Sequence, residues 1–200
     1  MSDKKRPYRM TRRAELEERT RQRITESAVK LHGTIGPART SISALAEHAG
    51  VRRSTVYRHF PDEAALFAAC SSHWRAANPV PDLARWMAVK DVDERLRRAL
   101  MELYSHYRRN ERMLTNILRD EAAVPVLTKT LSGYRDYLSR AQDTLMSGRA
   151  GSKSSRMVRA TTGHALAFHA WRSLAIDEGL EDMEVADLMC LLVAGATAKR

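Results

Sequence analysis

The stretch SISALAEHAGVRRSTVYRHF, Ser41 to Phe60, constrains this 200-residue chain more than any other. Ile42, Leu45, Ala46 and Ala49 fall three and four residues apart, which is one face of a short helix. Gly50 interrupts that repeat, and a second short helix carries Val56, Tyr57 and Phe60. Gly50 permits a positive φ at the turn, Ala46 is small where two helices must approach, and Val51 fills the angle between them. The pattern predicts a helix-turn-helix, in which the first helix braces the second and the second enters a DNA major groove. Arg52, Arg53, Ser54 and Thr55 then lie at the exposed start of the second helix. Arginine can bond guanine O6 and N7 together, and threonine can offer a hydroxyl or touch a thymine methyl.

Charge supports that reading. The chain has 34 Lys and Arg against 24 Asp and Glu, and the excess is uneven. Between Met1 and Phe60 there are 14 basic and 6 acidic residues, against 20 and 18 in the rest. A localised basic region suits a polyanion, because each Lys or Arg near a phosphate releases counterions.

The remaining pattern is helical, and runs of β-branched residues are too short for a sheet. Residues 1–14 form a basic tail without apolar periodicity, expected to be disordered on its own. Such a tail is either a solvated overhang or an arm for the minor groove. Ile24, Ala28 and Leu31 then mark a helix that ends near Gly33 and Gly36-Pro37; Thr40-Ser41 can cap the next. After Phe60, Pro61-Asp62 open a helix with Leu66, Phe67, Cys70 and Trp74 on one face. Asn78-Pro79-Val80-Pro81 is the clearest linker, so a DNA-binding domain is expected over 15–78 and a second domain over 82–200.

In the second domain, Leu96, Leu100, Leu103, Tyr104 and Tyr107 form a stripe opposite Arg95, Arg97, Arg98, Glu102 and Arg109. A short helix near 113–118, one from about 124 to 145 with breaks threatened at Pro125 and Gly133, and two closing helices over 154–177 and 183–198 are expected. Ala160, Gly163, Ala167 and Ala170 make a small-residue stripe beside Leu188, Met189 and Leu192. Both closing helices are apolar on more than one side, which suits a dimer interface; a purely internal core is the alternative.

The residues from about Thr20 to Trp74 resemble the DNA-binding domain of the TetR family. The resemblance rests on Thr40-Ser41-Ile42, Leu45-Ala46, Ala49-Gly50-Val51, Thr55-Val56-Tyr57-Arg58-His59-Phe60-Pro61 and Ala65-Leu66-Phe67. It implies an all-α fold of about nine helices: an N-terminal three-helix helix-turn-helix domain joined to a helical ligand-binding and dimerisation domain. It implies phosphate contacts from Tyr57, His59 and Thr40, and base-facing positions at Arg52, Arg53 and Thr55. Two departures stand out. Ser54 replaces a commonly glycine-like residue, and Glu63 replaces a lysine that often touches phosphate, so that contact is not carried over. In the family the two closing helices of each subunit form a four-helix interface, here expected at Gly163, Ala167, Ala170, Leu188, Met189 and Leu192. A pocket for a small effector is expected among Trp86, Met101, Tyr104, Tyr107, Arg119, His164, Phe168 and Trp171, with His106 as a further polar handle, although aromatics at helical spacing also make plain core.

The resulting expectation is a repressor that binds a palindromic double-stranded DNA operator as a homodimer and leaves it when an effector binds. An enzyme is the first rival. His164 and His169 are five residues apart and do not face one ligand, and there is no HExxH, GxSxG or P-loop pattern, so no catalytic residue, metal or cofactor is expected. An architectural DNA-binding protein without a sensor is the second. Cys70 and Cys190 are too far apart in sequence to read as a CxxC site or a disulfide framework. No apolar run approaches the ~20 residues needed to cross a bilayer, and the charged start lacks the apolar stretch of a signal peptide, so a cytoplasmic location is expected.

Overall fold

The computed structural model describes residues 5–149 and 155–197, and every regular element among them is helical. The chain forms two compact units. The first comprises 1–77 together with 115–130, and the second comprises 78–114 and 131–200. Residues 115–130, expected in the second domain, thus belong with the first.

In the first unit, α1 (Lys5–Thr34), α2 (Ile42–His48), α3 (Arg53–His59) and α4 (Glu63–Ala77) surround one small core. Ile24 and Ala28 of α1 meet Leu45 and Ala46 of α2, Val56 of α3, and Leu66 and Cys70 of α4, with Ala49 and Phe60 closing the gaps. The segment expected as a disordered tail is helical from Lys5 onward, while residues 1–4 lie outside the described residues. Pro7 is tolerated because it stands in the first turn, and the Arg, Leu, Glu and Ala residues that follow are good helix formers. Gly50 takes φ +62° at the turn between α2 and α3, the left-handed conformation a side chain would resist.

The second unit adds α5 (Leu83–Met87), which sequence periodicity did not reveal, and most of α6 (Val92–Asp120). The helix expected near 113–118 is the continuation of α6. No glycine or proline lies between Tyr107 and Met113, and Asn110 Nδ2 donates to the carbonyl of His106 (2.9 Å). Arg95, read as part of a solvated stripe, is buried. Its Nε donates to Val89 O (2.9 Å) and its Nη1 to Ser147 O (2.7 Å), capping carbonyls that a helix end leaves unbonded. The long helix expected over 124–145 breaks at Leu131, between α7 (Val126–Thr130, in the first unit) and α8 (Ser132–Met146); Gly133 stays helical.

The two closing segments are α9 (Ser155–Leu166) with α10 (Phe168–Arg172), and α11 (Asp182–Thr197). A π-helical turn, Ser173–Asp177, continues α10. The break between α9 and α10 is at Ala167, whose ψ is 129°, so the expected uninterrupted stripe from Ala160 to Ala170 is cut. The break frees the carbonyls of Ala165 and Leu166 from their helical donors. Tyr104 Oη donates to Ala165 O (2.8 Å) and Tyr107 Oη to Leu166 O (2.6 Å), so two tyrosines of α6 replace the missing N–H groups. Tyr134 Oη donates to the Tyr107 hydroxyl in turn (3.2 Å).

Tyr107→Phe leaves the buried Leu166 carbonyl without a donor. The expected loss is about 1–3 kcal/mol of unfolding free energy, read from urea denaturation. An unchanged midpoint would show that the break needs no tyrosine.

Candidate nucleic-acid interface

The exposed start of α3 carries the residues read as base-facing. Arg52 occupies the N-cap position with extended backbone (φ −80°, ψ 151°), and its carbonyl accepts the Thr55 N–H (2.9 Å). Arg52, Arg53 and Ser54 are exposed and Thr55 is half-buried. Tyr57, one turn on, is 49% exposed, whereas its neighbour Val56 is buried in the core. Position 57 therefore points away from the core that position 56 fills, and Tyr57 is no core aromatic.

The opposite end of α3 is anchored by a residue that sequence reading missed. Arg21 of α1 lays its guanidinium over the Phe60 ring, 4.4 Å from the centroid, and donates from Nη1 to the carbonyl of His59 (2.8 Å). It thus serves a C-terminal carbonyl that the short helix cannot satisfy itself. Only its distance in sequence, 38 residues, hid it.

His59 is half-buried, and its Nε2 is buried without a hydrogen-bond partner. Burial first, then the cations of Arg58 and Arg21, hold its pKa below the ordinary histidine value. The ring is therefore neutral near pH 7 and has one N–H at most to offer a phosphate.

Thr40 and Ser41 precede α2. The Thr40 hydroxyl donates to Gly36 O (2.8 Å) and its N–H donates to Pro37 O (3.0 Å), so both of its donors are engaged within the chain. Ser41 is exposed, and its Oγ accepts the Ala44 N–H (3.1 Å) as the N-cap of α2. That accepting role leaves the hydroxyl proton for an external acceptor. At the start of α4, Asp62 Oδ1 accepts the Ala65 N–H (2.7 Å) and Glu63 follows it. Two acids favour the helix end and repel phosphate, so no backbone contact is assigned there.

In the second unit, Tyr107, Phe168 and Trp171 form one aromatic cluster, with centroid separations of 5.4 to 5.7 Å, and Tyr104 stacks on Tyr107 at 6.3 Å. Among the other expected pocket residues, His106 has its ring 6.3 Å from that of Tyr107. Trp86 is buried with its Nε1 donating to Glu102 Oε2 (2.8 Å), Met101 is half-buried, and His164 is exposed. Arg119 belongs to the first unit, where it pairs with Asp120. His106 is buried, and burial lowers its pKa.

The expected dimer residues divide by exposure. Leu188 and Leu192 are exposed on α11, and Leu191, which the sequence reading omitted, is 70% exposed beside them. Met189 is buried with Val185, Ala186 and Val193 on the inner face, because α11 carries its core contacts on one side only. Gly163, Ala167 and Ala170 are half-buried, and a Cβ at Gly163 would meet Gln142 of α8, so that position faces a neighbouring helix of its own subunit. Among the described residues, no three His, Cys, Asp or Glu side chains are grouped to hold a metal ion, and no helix is long and apolar enough to cross a membrane.

His32 gives this unit a pH dependence. It is buried and stacked on Phe67 (4.9 Å between centroids), and desolvation lowers its pKa to about 4 despite the opposing charge of Asp120. The unfolded chain takes up the proton near pH 6.5 and the folded one only near pH 4, so stability falls with pH across that window. Between pH 7 and 4 the expected loss from this group is roughly 3 kcal/mol. His32→Phe should flatten that part of the profile in urea titrations, and an identical slope in wild type and variant would discard the assignment.

Comparison with known proteins agrees with this geometry. Residues 24–70 match the family model for bacterial regulatory proteins of the tetR family. A TetR-like transcriptional regulator from Rhodococcus sp. RHA1 superposes with a TM-score of 0.64 at 21% identity, covering 90% of this chain and 97% of that one. A Mesorhizobium loti MAFF303099 protein assigned to the TetR family of transcriptional regulators gives 0.61 at 16%, covering 90% and 96%. The fatty acid degradation regulator FadR from Bacillus halodurans gives 0.55 at 17%, covering 87% and 95%. These likenesses establish a shared fold, and no curated protein sequence matches the chain. Residues 24–70 thus carry a domain of the tetR family type, and the chain shares the fold of TetR-like regulators along about nine-tenths of its length.

Proposed function

We propose that this protein is a sequence-specific transcriptional repressor that binds a palindromic operator as a homodimer and releases it when a small effector binds. The observation that carries the reading is the start of α3, where Arg52, Arg53 and Ser54 are exposed on a helix whose other face is locked into a core. Arg52, Arg53 and Thr55 read base edges; Tyr57, Ser41 and, if its ring turns outward, His59 bond phosphates. Thr40 acts through its backbone position, since its own donors are engaged. One recognition helix covers only a few base pairs, so two copies related by a two-fold axis supply the specificity.

Leu188, Leu191 and Leu192 support the dimer reading, because large exposed side chains at helical spacing gain by burial against a second copy. Gly163, Ala167 and Ala170 join this surface only at its edge, and Met189 supports it from beneath. The effector reading rests on the aromatic cluster of Tyr104, Tyr107, Phe168 and Trp171, which suits a flat apolar molecule. Trp86 is buried with its Nε1 bonded to Glu102, Met101 is half-buried and His164 exposed, and Arg119 belongs to the first unit.

Operator affinity should fall with salt at a slope near −0.9 per contacted phosphate, measured by fluorescence anisotropy. Arg53→Ala should cost roughly 1–3 kcal/mol on the operator and relax one base preference, whereas Tyr57→Phe should weaken all DNA alike. A flat salt dependence would reject DNA binding, and an equal loss on specific and random DNA would reject base reading by Arg53. Leu191→Glu with Leu188→Glu should give a monomer in light scattering and lose operator binding while keeping its far-UV spectrum. A persistent dimer would place the interface elsewhere.

A further inference from the structure

The last turn of α6 grips the end of α1 and the turn beyond it. Asn116, Arg119 and Asp120, on one face of α6, reach backbone groups three residues apart. Asn116 Nδ2 donates to His32 O (3.0 Å), Arg119 Nη2 to Ile35 O (3.4 Å), and Asp120 Oδ2 accepts the Ala38 N–H (3.0 Å). The other oxygen, Asp120 Oδ1, accepts from Arg119 Nε (2.7 Å), which joins two of the three contacts. The carbonyls of His32 and Ile35 lie where α1 runs out of its own donors. Asp120 and Asn116 are buried, and all of these groups belong to the first unit.

Gly36 sits beneath the clasp with φ +92°, and a Cβ there would collide with the Arg119 guanidinium and the Asp120 carboxylate. From that point each step toward α2 is held. Arg39 N–H and the Thr40 hydroxyl bond to Gly36 O, Thr40 N–H bonds to Pro37 O, and Ser41 caps α2. A buried carboxylate is a poor way to gain stability, since an apolar residue of similar volume often does as well or better. Asp120 directs its two oxygens to a single turn, and that turn leads to the exposed Ser41.

We propose that Asn116, Arg119 and Asp120 are positioning residues for DNA binding, which hold the Gly36–Ser41 turn in the one arrangement that sets Ser41 and the start of α2 against the operator backbone. The proposal rests on the operator reading above. None of the three touches DNA; they act by keeping the competent turn populated.

The test compares wild type with Asp120→Asn, Gly36→Ala and Arg119→Ala. Asp120→Asn retains one acceptor for Ala38 but loses the charge that holds Arg119. Gly36→Ala pushes the clasp apart from the other side. Arg119→Ala removes an exposed member at little risk to folding. Hydrogen–deuterium exchange by NMR should show faster exchange at Ala38 and Thr40 in all three. Operator affinity should fall about tenfold if the competent turn drops to about a tenth of the population, with an unchanged salt slope because no phosphate contact is lost. Arg53→Ala should lose affinity while Ala38 exchange stays at the wild-type rate. Unchanged operator affinity in the three variants, despite wild-type binding, overturns the proposal, and so does a lowered melting temperature with wild-type Kd. A wild-type protein that binds no operator overturns the functional reading, and the proposal with it.

Discussion

A seven-residue helix cannot hold itself together. Isolated helices shorter than about 12–15 residues are marginal in water, and α3 has seven. Everything proposed for the DNA face depends on the core that holds it: Val56 buried against Ile24 and Ala28 of α1 and Leu45 and Ala46 of α2. Arg21 completes the attachment by binding the last carbonyl of α3 and covering Phe60. The long α1 is therefore a scaffold at two points. Its middle supports α3, and its end, through the turn at Gly36, supports α2.

The same economy governs the second unit. Helix α9 stops at Leu166 because Tyr104 and Tyr107 offer hydroxyl donors where the helix would otherwise supply N–H groups. The break turns Phe168 and Trp171 into the cluster around Tyr107. Trp171 Nε1 and the guanidinium of Arg108 both bond Asp182, the first residue of α11, so the π-helical turn between them is tied at each side. A π turn in such a place often marks a functional element. Here it lies between the aromatic cluster and the helix that carries the exposed leucines.

Charge acts differently on the two kinds of surface. At the start of α3 the arginines are exposed and unburdened by desolvation, as phosphate or base contacts require. Several arginines elsewhere are engaged with backbone carbonyls or carboxylates: Arg95 at the end of α8, Arg149 at Val92 and Asp93, Arg172 at Glu111 and Asp177. The net positive charge of the chain is thus a poor guide to its partner, and the position of unengaged cations is a better one.

The sequence alone determined the helical class, the helix-turn-helix, its turn at Gly50 and the likeness of residues 24–70 to the tetR family domain, because these are local. Spacing of three and four fixes a helical face, and a glycine marks where the backbone must take a positive φ. The exposure of Arg52, Arg53 and Ser54 was equally legible from their place at the start of the second helix, whereas that of Tyr57, grouped in sequence with Val56 and Phe60, came from the structure. Tertiary structure decided the rest. That Arg95 is buried, that Met189 faces inward while Leu191 faces out, and that Gly163 lies on Gln142 depend on which side of each helix finds a partner. Periodicity cannot rank two apolar sides of one helix. The break at Ala167 depends on tyrosines some sixty residues away, and the clasp on Ala38 depends on Asp120, 82 residues on. Such bonds join backbone groups to side chains, and backbone groups carry no signature in the sequence.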